Sequence, residues 1–553
     1  MSNRFVKNWR KLLYVPLFLF AVDGLAQKKK PKLVVGIVVD QMRQEFLDRF
    51  KDDFGKEGFN RMLAEGFELK NAHYNYLPTT TGPGHASVFT GTTPAFHGIV
   101  YNNWYSRKAE SKLYCVEDSG VSMVGATGES GKRSPKNLVT TTVTDELKIA
   151  TQFRSKVVSV SVKDRSAILG GGHNPDGAYW YDGKSGNFVT STYYGQELPA
   201  WVNEFNGRKL PKMYAKKEWK PILPMSAYNE SRQDGAEYEQ GLHGTEFPYK
   251  ASHMHGKKGN RITDTPYGND LLTEMAMASV LGEKLGKGNE TDFLAISYSS
   301  TDKIGHAYGP ASVEIQDTYI RLDRNIAELL SFLDKQVGQG EYVVFLTADH
   351  AASEAPGYLE EHKMPGGYFD QNGMEEALES FLSQKYGAGK WLDYVDFFQL
   401  YFNPETLEKH GLDRRNVSRV VADWLLDWEG VARTFTAKEA NLADYNGGGY
   451  KGMLSRGFYP KRSGDVFYLM NSGWLVRDSG KGTSHGAIYA YDTHVPILWF
   501  GADIPHGSSV KYHRITDVAP TVSLMLGIKL PSGSTGEPIS EILEEDKTGG
   551  AVK

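Results

Sequence analysis

The chain has 553 residues, 40% hydrophobic and 24% charged, with a net charge of −4 at neutral pH. These are ordinary values for a globular protein that buries a large core. The mildly acidic balance argues against a nucleic-acid partner, which would demand a basic face, so any anionic substrate must meet locally placed positive charge.

The length allows three or four domains of typical size, but one large α/β domain grown by insertion is the expectation for 27–553. At the N-terminus, Arg4, Lys7, Arg10 and Lys11 precede the apolar run Leu12 to Val22, and Gly24-Leu25-Ala26 offers a small-x-small cleavage site. Residues 1–26 therefore read as a signal peptide, with a periplasmic or secreted product; an uncleaved anchor is the rival reading. The run is shorter than the roughly 20 residues of a spanning helix, so no stable membrane insertion is expected after cleavage. No cysteine lies at the cleavage site, and Cys115 stands alone, so no intrachain disulfide can form.

Leu33 to Val39 is almost wholly apolar and β-branched, as expected of a central strand covered on both faces, and it ends at Asp40. A helix is expected over Glu45 to Glu65, stopped by Gly66. Three more apolar runs, Val157 to Val162, Phe293 to Tyr298 and Tyr342 to Thr347, precede Lys163-Asp164-Arg165, Asp302 and Asp349-His350. Open α/β sheets bind ligands outside the carboxyl ends of their strands, so these deliveries point to one cleft. The intervening pattern includes an apolar stripe from Ile315 to Val337, a strand-like Val495 to Phe500 and a helix from Asp517 to Leu526. Together they predict a large, mostly parallel central sheet flanked by helices. The stretches 170–264 and 366–462 lack clear periodicity and read as inserted covering segments. The tail Glu541 to Lys553 is expected to fray.

Asp302 and His306 stand four residues apart, a spacing at which a helical turn lets both meet one divalent metal. Singly, this pair, Asp349-His350 and His485 are each common patterns. Together with Asp40 they supply the carboxylate and imidazole set that zinc prefers. Thr79-Thr80-Thr81-Gly82-Pro83-Gly84-His85 places a hydroxyl before a helix-compatible stretch. Free N–H groups there favour phosphate, and a metal would activate the hydroxyl; a Thr that merely caps its helix is the alternative. Lys163 and Arg165 read equally as phosphate contacts or as a solvated pair. His85 is read as ordering the turn, and His253 and His255 as loop histidines.

The ordered set Asp40, Thr81-Gly-Pro-Gly-His85, Asp302-Lys-Ile-Gly-His306, Ala348-Asp349-His350 and Thr483-Ser-His485-Gly486, with Asn102-Asn103-Trp104-Tyr105 and Lys163-Asp164-Arg165, resembles the alkaline phosphatase superfamily. Within it, the chain is similar to the single-chain PafA-type enzymes of Bacteroidetes from about Lys32 to Ile539. The resemblance implies two zinc ions per chain, one on Asp302, His306 and His485, the other on Asp40, Asp349 and His350 with the Thr81 oxygen. It implies hydrolysis of small phosphate monoesters through a phosphothreonine at Thr81, with Asn102, Lys163 and Arg165 on the phosphoryl oxygens. Three carboxylates and a Thr81 alkoxide would cancel the charge of two zinc ions, and the remaining Lys163 and Arg165 match a monoester dianion better than a diester. The nearest rival is a nucleotide pyrophosphatase/phosphodiesterase of the same superfamily. A sulfatase would need Cys or Ser where Thr81 stands, and a phosphate mutase fits poorly with a leader peptide. A noncatalytic binding module would have no reason to keep the full constellation. A monomer is expected.

Overall fold

The computed structural model describes residues 30–241, 244–250, 255–256, 259–477 and 479–543. The expected signal peptide at 1–26, His253 and the side chain of His255 lie outside the described residues. A ten-stranded sheet contains β1 (Leu33–Val39), β2 (Phe67–His73), β3 (Met123–Val124), β4 (Val157–Ser161), β5 (Gly177–Asp182), β6 (Asn187–Ser191), β7 (Asp292–Tyr298), β8 (Tyr342–Thr347), β9 (His494–Gly501) and β10 (Gly507–Arg514). Their order across the sheet is β10-β2-β9-β8-β1-β7-β4-β5-β6-β3.

From β8 to β5 the neighbours run parallel. β9 is antiparallel to both β8 and β2, and β6 and β3 add antiparallel pairs at one side. β2 and the edge strand β10 are again parallel, so the sheet is mixed, with its longest parallel run at the centre. Every residue of β1, β7 and β8 is buried, which is why their sequences are continuous apolar runs rather than alternating ones. Gly36 interrupts the β-branched run of β1 because a Cβ there would lie 2.5 Å from the Phe345 ring.

Four helices matter to the site: α1 (Thr81–Thr90), α2 (Asp164–Gly171), α3 (Ser300–Tyr308) and α4 (Val313–Leu333). The last buries the expected stripe Ile320, Ile326, Leu329, Leu330 and Leu333, with Ile315, Tyr319 and Leu322 beside it, and ends in a π-helical turn at Asp334–Gly338.

Two sequence expectations change. The helix expected over Glu45 to Glu65 is broken into Glu45–Arg49, a 3-10 turn Lys51–Asp53 and Phe59–Glu65. The cause is Asp323 of α4, whose carboxylate accepts from Gly55 N (2.8 Å) and Phe59 N (2.7 Å). These bonds hold the chain open between the pieces. The stretch 170–264 holds β5 and β6, both strands of the central sheet. The stretch 366–462 supplies Leu392–Asp396, Gln399–Phe402 and Val431–Thr436 to a separate four-stranded sheet completed by Val466–Met470. That sheet has its own core, in which Met374, Leu378 and Leu382 of one helix and Val417, Val421 and Leu425 of another meet Trp391, Leu400 and Val466. Among the described residues, no helix is long and apolar enough to cross a membrane.

Candidate active site

Register explains the convergence. Val39 of β1 pairs with Tyr298 of β7, and Val38 with Thr347 of β8, so Asp40, the start of α3 and Asp349-His350 leave the sheet at one edge. Asp40 N donates to Tyr298 O at 2.8 Å, and Thr301 Oγ1 to Asp40 O at 2.5 Å, tying the β1 and β7 exits together. Because β9 runs antiparallel to β8, its first residues lie at the same edge, and the loop that carries His485 enters there. β4 brings Lys163 and Arg165 to it through α2.

Thr81 is the first residue of α1, and the residue in the capping position is Thr80, which makes no side-chain cap bond. The capping alternative for Thr81 is thereby removed. Its Oγ1 instead accepts from Arg165 Nη2 at 3.2 Å, while Asn102 Oδ1 accepts from Gly82 N at 2.8 Å. Gly84 lets α1 approach the edge closely, since a Cβ would sit 2.2 Å from Asp349 O. His85 behaves as a strut: Nδ1 lies 2.9 Å from Thr81 O and Nε2 2.8 Å from Ser297 Oγ.

Two sets of ligand atoms gather here, Asp302 with His350 and His485, and Asp40 with Asp349 and His350, each set within 4.8 Å. His306 Nε2 lies 3.1 Å from Asp302 Oδ1, and His485 Nε2 3.7 Å from the same atom. The sets are contiguous, the His350 and His485 rings stacking at 3.5 Å. Each imidazole has its Nδ1 engaged by a backbone carbonyl: His306 by Thr483 at 2.8 Å, His350 by Ala351 at 2.9 Å and His485 by Thr79 at 2.8 Å. That arrangement fixes the tautomer and presents Nε2, as in metal sites generally.

Lys163 Nζ donates to Asp40 Oδ2 at 2.7 Å and Asp302 Oδ2 at 2.6 Å, bridging the two sets. Burial and the neighbouring Asp349 hold Asp40 well above the usual carboxylate range despite Lys163. For Asp302 burial acts the same way, but Lys163 and His306 outweigh it and hold that carboxyl well below the range. Asp349 is lowered as well, with His350 and His85 overcoming its burial. Burial pushes His350 and His485 down, which keeps both imidazoles neutral, the ligating form.

Asp40 Oδ1, Asp349 Oδ2 and His350 Nε2 are buried without a hydrogen-bond partner. Buried polar atoms left so cost about 1–3 kcal/mol each, and three converging on one point, all carboxylate or imidazole, fit a divalent metal of zinc's preference.

The sequence reading missed the supports. Gln41, at φ 67°, donates from Nε2 to Asp302 Oδ1 (2.8 Å) and from its backbone N to Asp349 Oδ1 (3.2 Å). Tyr114 OH donates to Asp164 at 2.5 Å and accepts from Arg165 Nη1 at 3.3 Å, orienting the guanidinium. Arg477 donates to Thr483 O at 2.7 Å, the carbonyl that engages His306. None carries a motif; only the position of Gln41 directly after a strand-end carboxylate could have drawn attention.

Residues 34–494 match the type I phosphodiesterase / nucleotide pyrophosphatase family, and the chain belongs to it. Its relatives narrow the class. The chain is 43% identical over 543 residues to alkaline phosphatase PafA of Elizabethkingia meningoseptica, covering 95% of this chain and 98% of that one. It is 40% identical over 552 residues to alkaline phosphatase PhoV of Synechococcus elongatus, covering 97% and 100%. The crystal structure of wild-type PafA superposes with a TM-score of 0.90 at 42% identity, covering 94% of this chain and 100% of that chain.

Proposed function

We propose that this protein is an alkaline phosphatase that hydrolyses small phosphate monoesters to an alcohol and inorganic phosphate. The observation that carries the reading is Thr81 Oγ1 at the head of α1, 3.2 Å from the Arg165 guanidinium and beside two contiguous carboxylate–imidazole sets. Thr81 is the nucleophile: its oxygen forms a bond to phosphorus in line with the departing alkoxide, and water then cleaves the phosphothreonine. Two inversions give retention at phosphorus. Arg165 holds phosphoryl oxygens through its planar fork, Asn102 donates to another, and Lys163 supplies the further positive charge that a dianion requires.

Two zinc ions would be held by Asp302, His306 and His485 and by Asp40, Asp349 and His350 with Thr81. When bound, such ions supply positive charge to attacking and leaving oxygens and acidify a hydroxyl. The carbonyls of Thr79, Thr483 and Ala351 keep the imidazoles aimed. The leader at 1–26 supports a periplasmic or secreted enzyme acting on exogenous organic phosphates.

The family description favours one second reading, a phosphodiesterase or nucleotide pyrophosphatase. Turnover of p-nitrophenyl phosphate and bis-p-nitrophenyl phosphate at alkaline pH, before and after EDTA and again with zinc, separates the two. Monoester turnover should dominate, vanish with EDTA, return with zinc, and be lost in Thr81→Ala while zinc stays bound. Dominant diester turnover would move the protein to the second reading.

A further inference from the structure

Away from the sheet edge, a cavity of about 460 Å³ opens in the separate four-stranded unit, lined by Asp413 to Asn416, Ser418, Arg419, Thr436 to Lys438 and Asp465. Four cations face it: Arg414, Arg415 and Arg419 from the helix Arg414–Leu425, and Lys438 from the helix Ala437–Leu442. Arg415 and Arg419 are four residues apart on one helix, a like-charge spacing that costs a few tenths of a kcal/mol.

Two acids, Asp413 and Asp465, share the wall with these cations, each accepts hydrogen bonds, and Glu439 beside Lys438 is drawn away from it. Asp413 Oδ1 accepts from Arg415 N (2.9 Å) and Asn416 N (3.2 Å), capping the helix. Asp465 accepts from Arg107 Nη2 through Oδ1 (3.0 Å) and from Phe402 N through Oδ2 (2.9 Å), with Arg414 Nη1 at 3.6 Å from Oδ1. Glu439 is turned back onto Thr436, its Oε2 accepting from N (2.8 Å) and Oγ1 (2.9 Å). Among the described residues, the side chains of Arg415, Arg419 and Lys438 have neither an ion pair nor a hydrogen bond. The result is a positively charged concavity on a chain whose net charge is −4.

We infer that this cavity is a binding site for a soluble oligophosphate, separate from the catalytic constellation. Guanidinium groups match phosphate oxygens in pairs, and the cavity is several times larger than one phosphate group. Three otherwise unpartnered cations match a ligand with several negative charges, and the concave placement favours a small polyanion over a flat anionic membrane. The inference does not depend on the catalytic reading.

Inorganic tripolyphosphate is the probe. Isothermal titration would use full-length protein carrying Thr81→Ala, which cannot consume it, with and without Arg419→Glu plus Lys438→Glu; Lys184→Glu controls for a charge reversal placed elsewhere on the surface. Tripolyphosphate should bind the Thr81→Ala protein at a site that the double reversal weakens at least tenfold and that weakens further with added salt, while Lys184→Glu leaves it intact. The double reversal in the Thr81 background should keep its p-nitrophenyl phosphate kcat/KM, which also reports that the fold survives. Identical isotherms in all backgrounds would overturn the inference. So would binding confined to phosphatidylglycerol vesicles, which would make the cavity a membrane contact instead.

Discussion

Lys163 is the residue on which monoester and diester chemistry should part. Its ammonium touches carboxylates of both ligand sets, Asp40 and Asp302, and burial alone would disfavour that charge. The same two carboxylates outweigh that burial and raise its pKa. Lys163→Ala should therefore lower monoester kcat/KM by about 10²–10³-fold and diester kcat/KM by far less, read with zinc saturating. Equal losses on both substrates would show that Lys163 holds the site together without selecting charge. His97 gives a prediction in the opposite direction of pH. It is fully buried, its Nδ1 accepts from Ile99 N at 3.1 Å, and its Nε2 lies 3.0 Å from Ser87 Oγ of α1. Burial, then Arg462, pushes its pKa down to about 3. An unfolded chain would take up a proton near pH 6.5 that the folded chain refuses, so the contribution to stability is complete above that value and is lost as pH falls toward 3. Between pH 7 and 5 the loss should be about 2 kcal/mol. Urea unfolding of His97→Gln should lack that increment; an unchanged pH slope would show that His97 does not carry it. At this scale the sequence was informative where chemistry restricts residue type: hydroxyl, carboxylate and imidazole at strand ends. It was silent on Gln41, Tyr114 and Arg477, whose roles arise from partners distant in sequence.

Elements were legible in proportion to how locally they are determined. β1, β7 and β8 are buried on both faces, so their apolar runs announce them without help from context. β5 and β6 were missed because their segment, Tyr- and Trp-rich and broken by Gly183 and Gly186, reads as loop until β4 is there to pair with. The break in the expected helix over 45–65 was invisible for a sharper reason: its cause, Asp323, lies on α4. A Cβ on Gly58 would stand 2.2 Å from Asp323 Oδ1 and 2.4 Å from its backbone oxygen, whereas one on Gly55 would stand 3.4 Å from Oδ2. Gly58→Ala should cost about 1–3 kcal/mol of stability by overpacking, and Gly55→Ala close to nothing, both measured by urea unfolding. Equal costs would mean that glycine's backbone freedom, not the Asp323 contact, decides this segment. α1 shows the same dependence in the site, since Gly84 is required by Asp349 O at 2.2 Å from its absent Cβ, a neighbour that no local pattern reveals.

For the whole molecule, the consequence of gathering Asp40, Asp302, Asp349 and three imidazoles from positions spread along the chain is that the site and the fold share one free energy. Burial first, and then repulsion from Asp349 and Asp302, raises Asp40 at this edge, and Lys163 offsets only part of that. Two divalent ions bound there would relieve the repulsion: one would partner the unsatisfied Asp40 Oδ1, Asp349 Oδ2 and His350 Nε2 and join the ends of β1 and β8, and the other would join α3 to the loop before β9. Because the unfolded chain has no such arrangement, binding stabilises the folded state by an amount that grows with the logarithm of free metal, about 4 kcal/mol at a thousandfold excess over Kd. Protein treated with EDTA should therefore melt several degrees lower by calorimetry than the same protein with zinc, and the Tm should climb steadily across a zinc titration. In Asp349→Ala the climb should shrink, since one ligand of the Asp40, Asp349 and His350 set is gone. A Tm indifferent to zinc would mean that zinc binds the folded chain no better than the unfolded one, and that these carboxylates and imidazoles are not a zinc site.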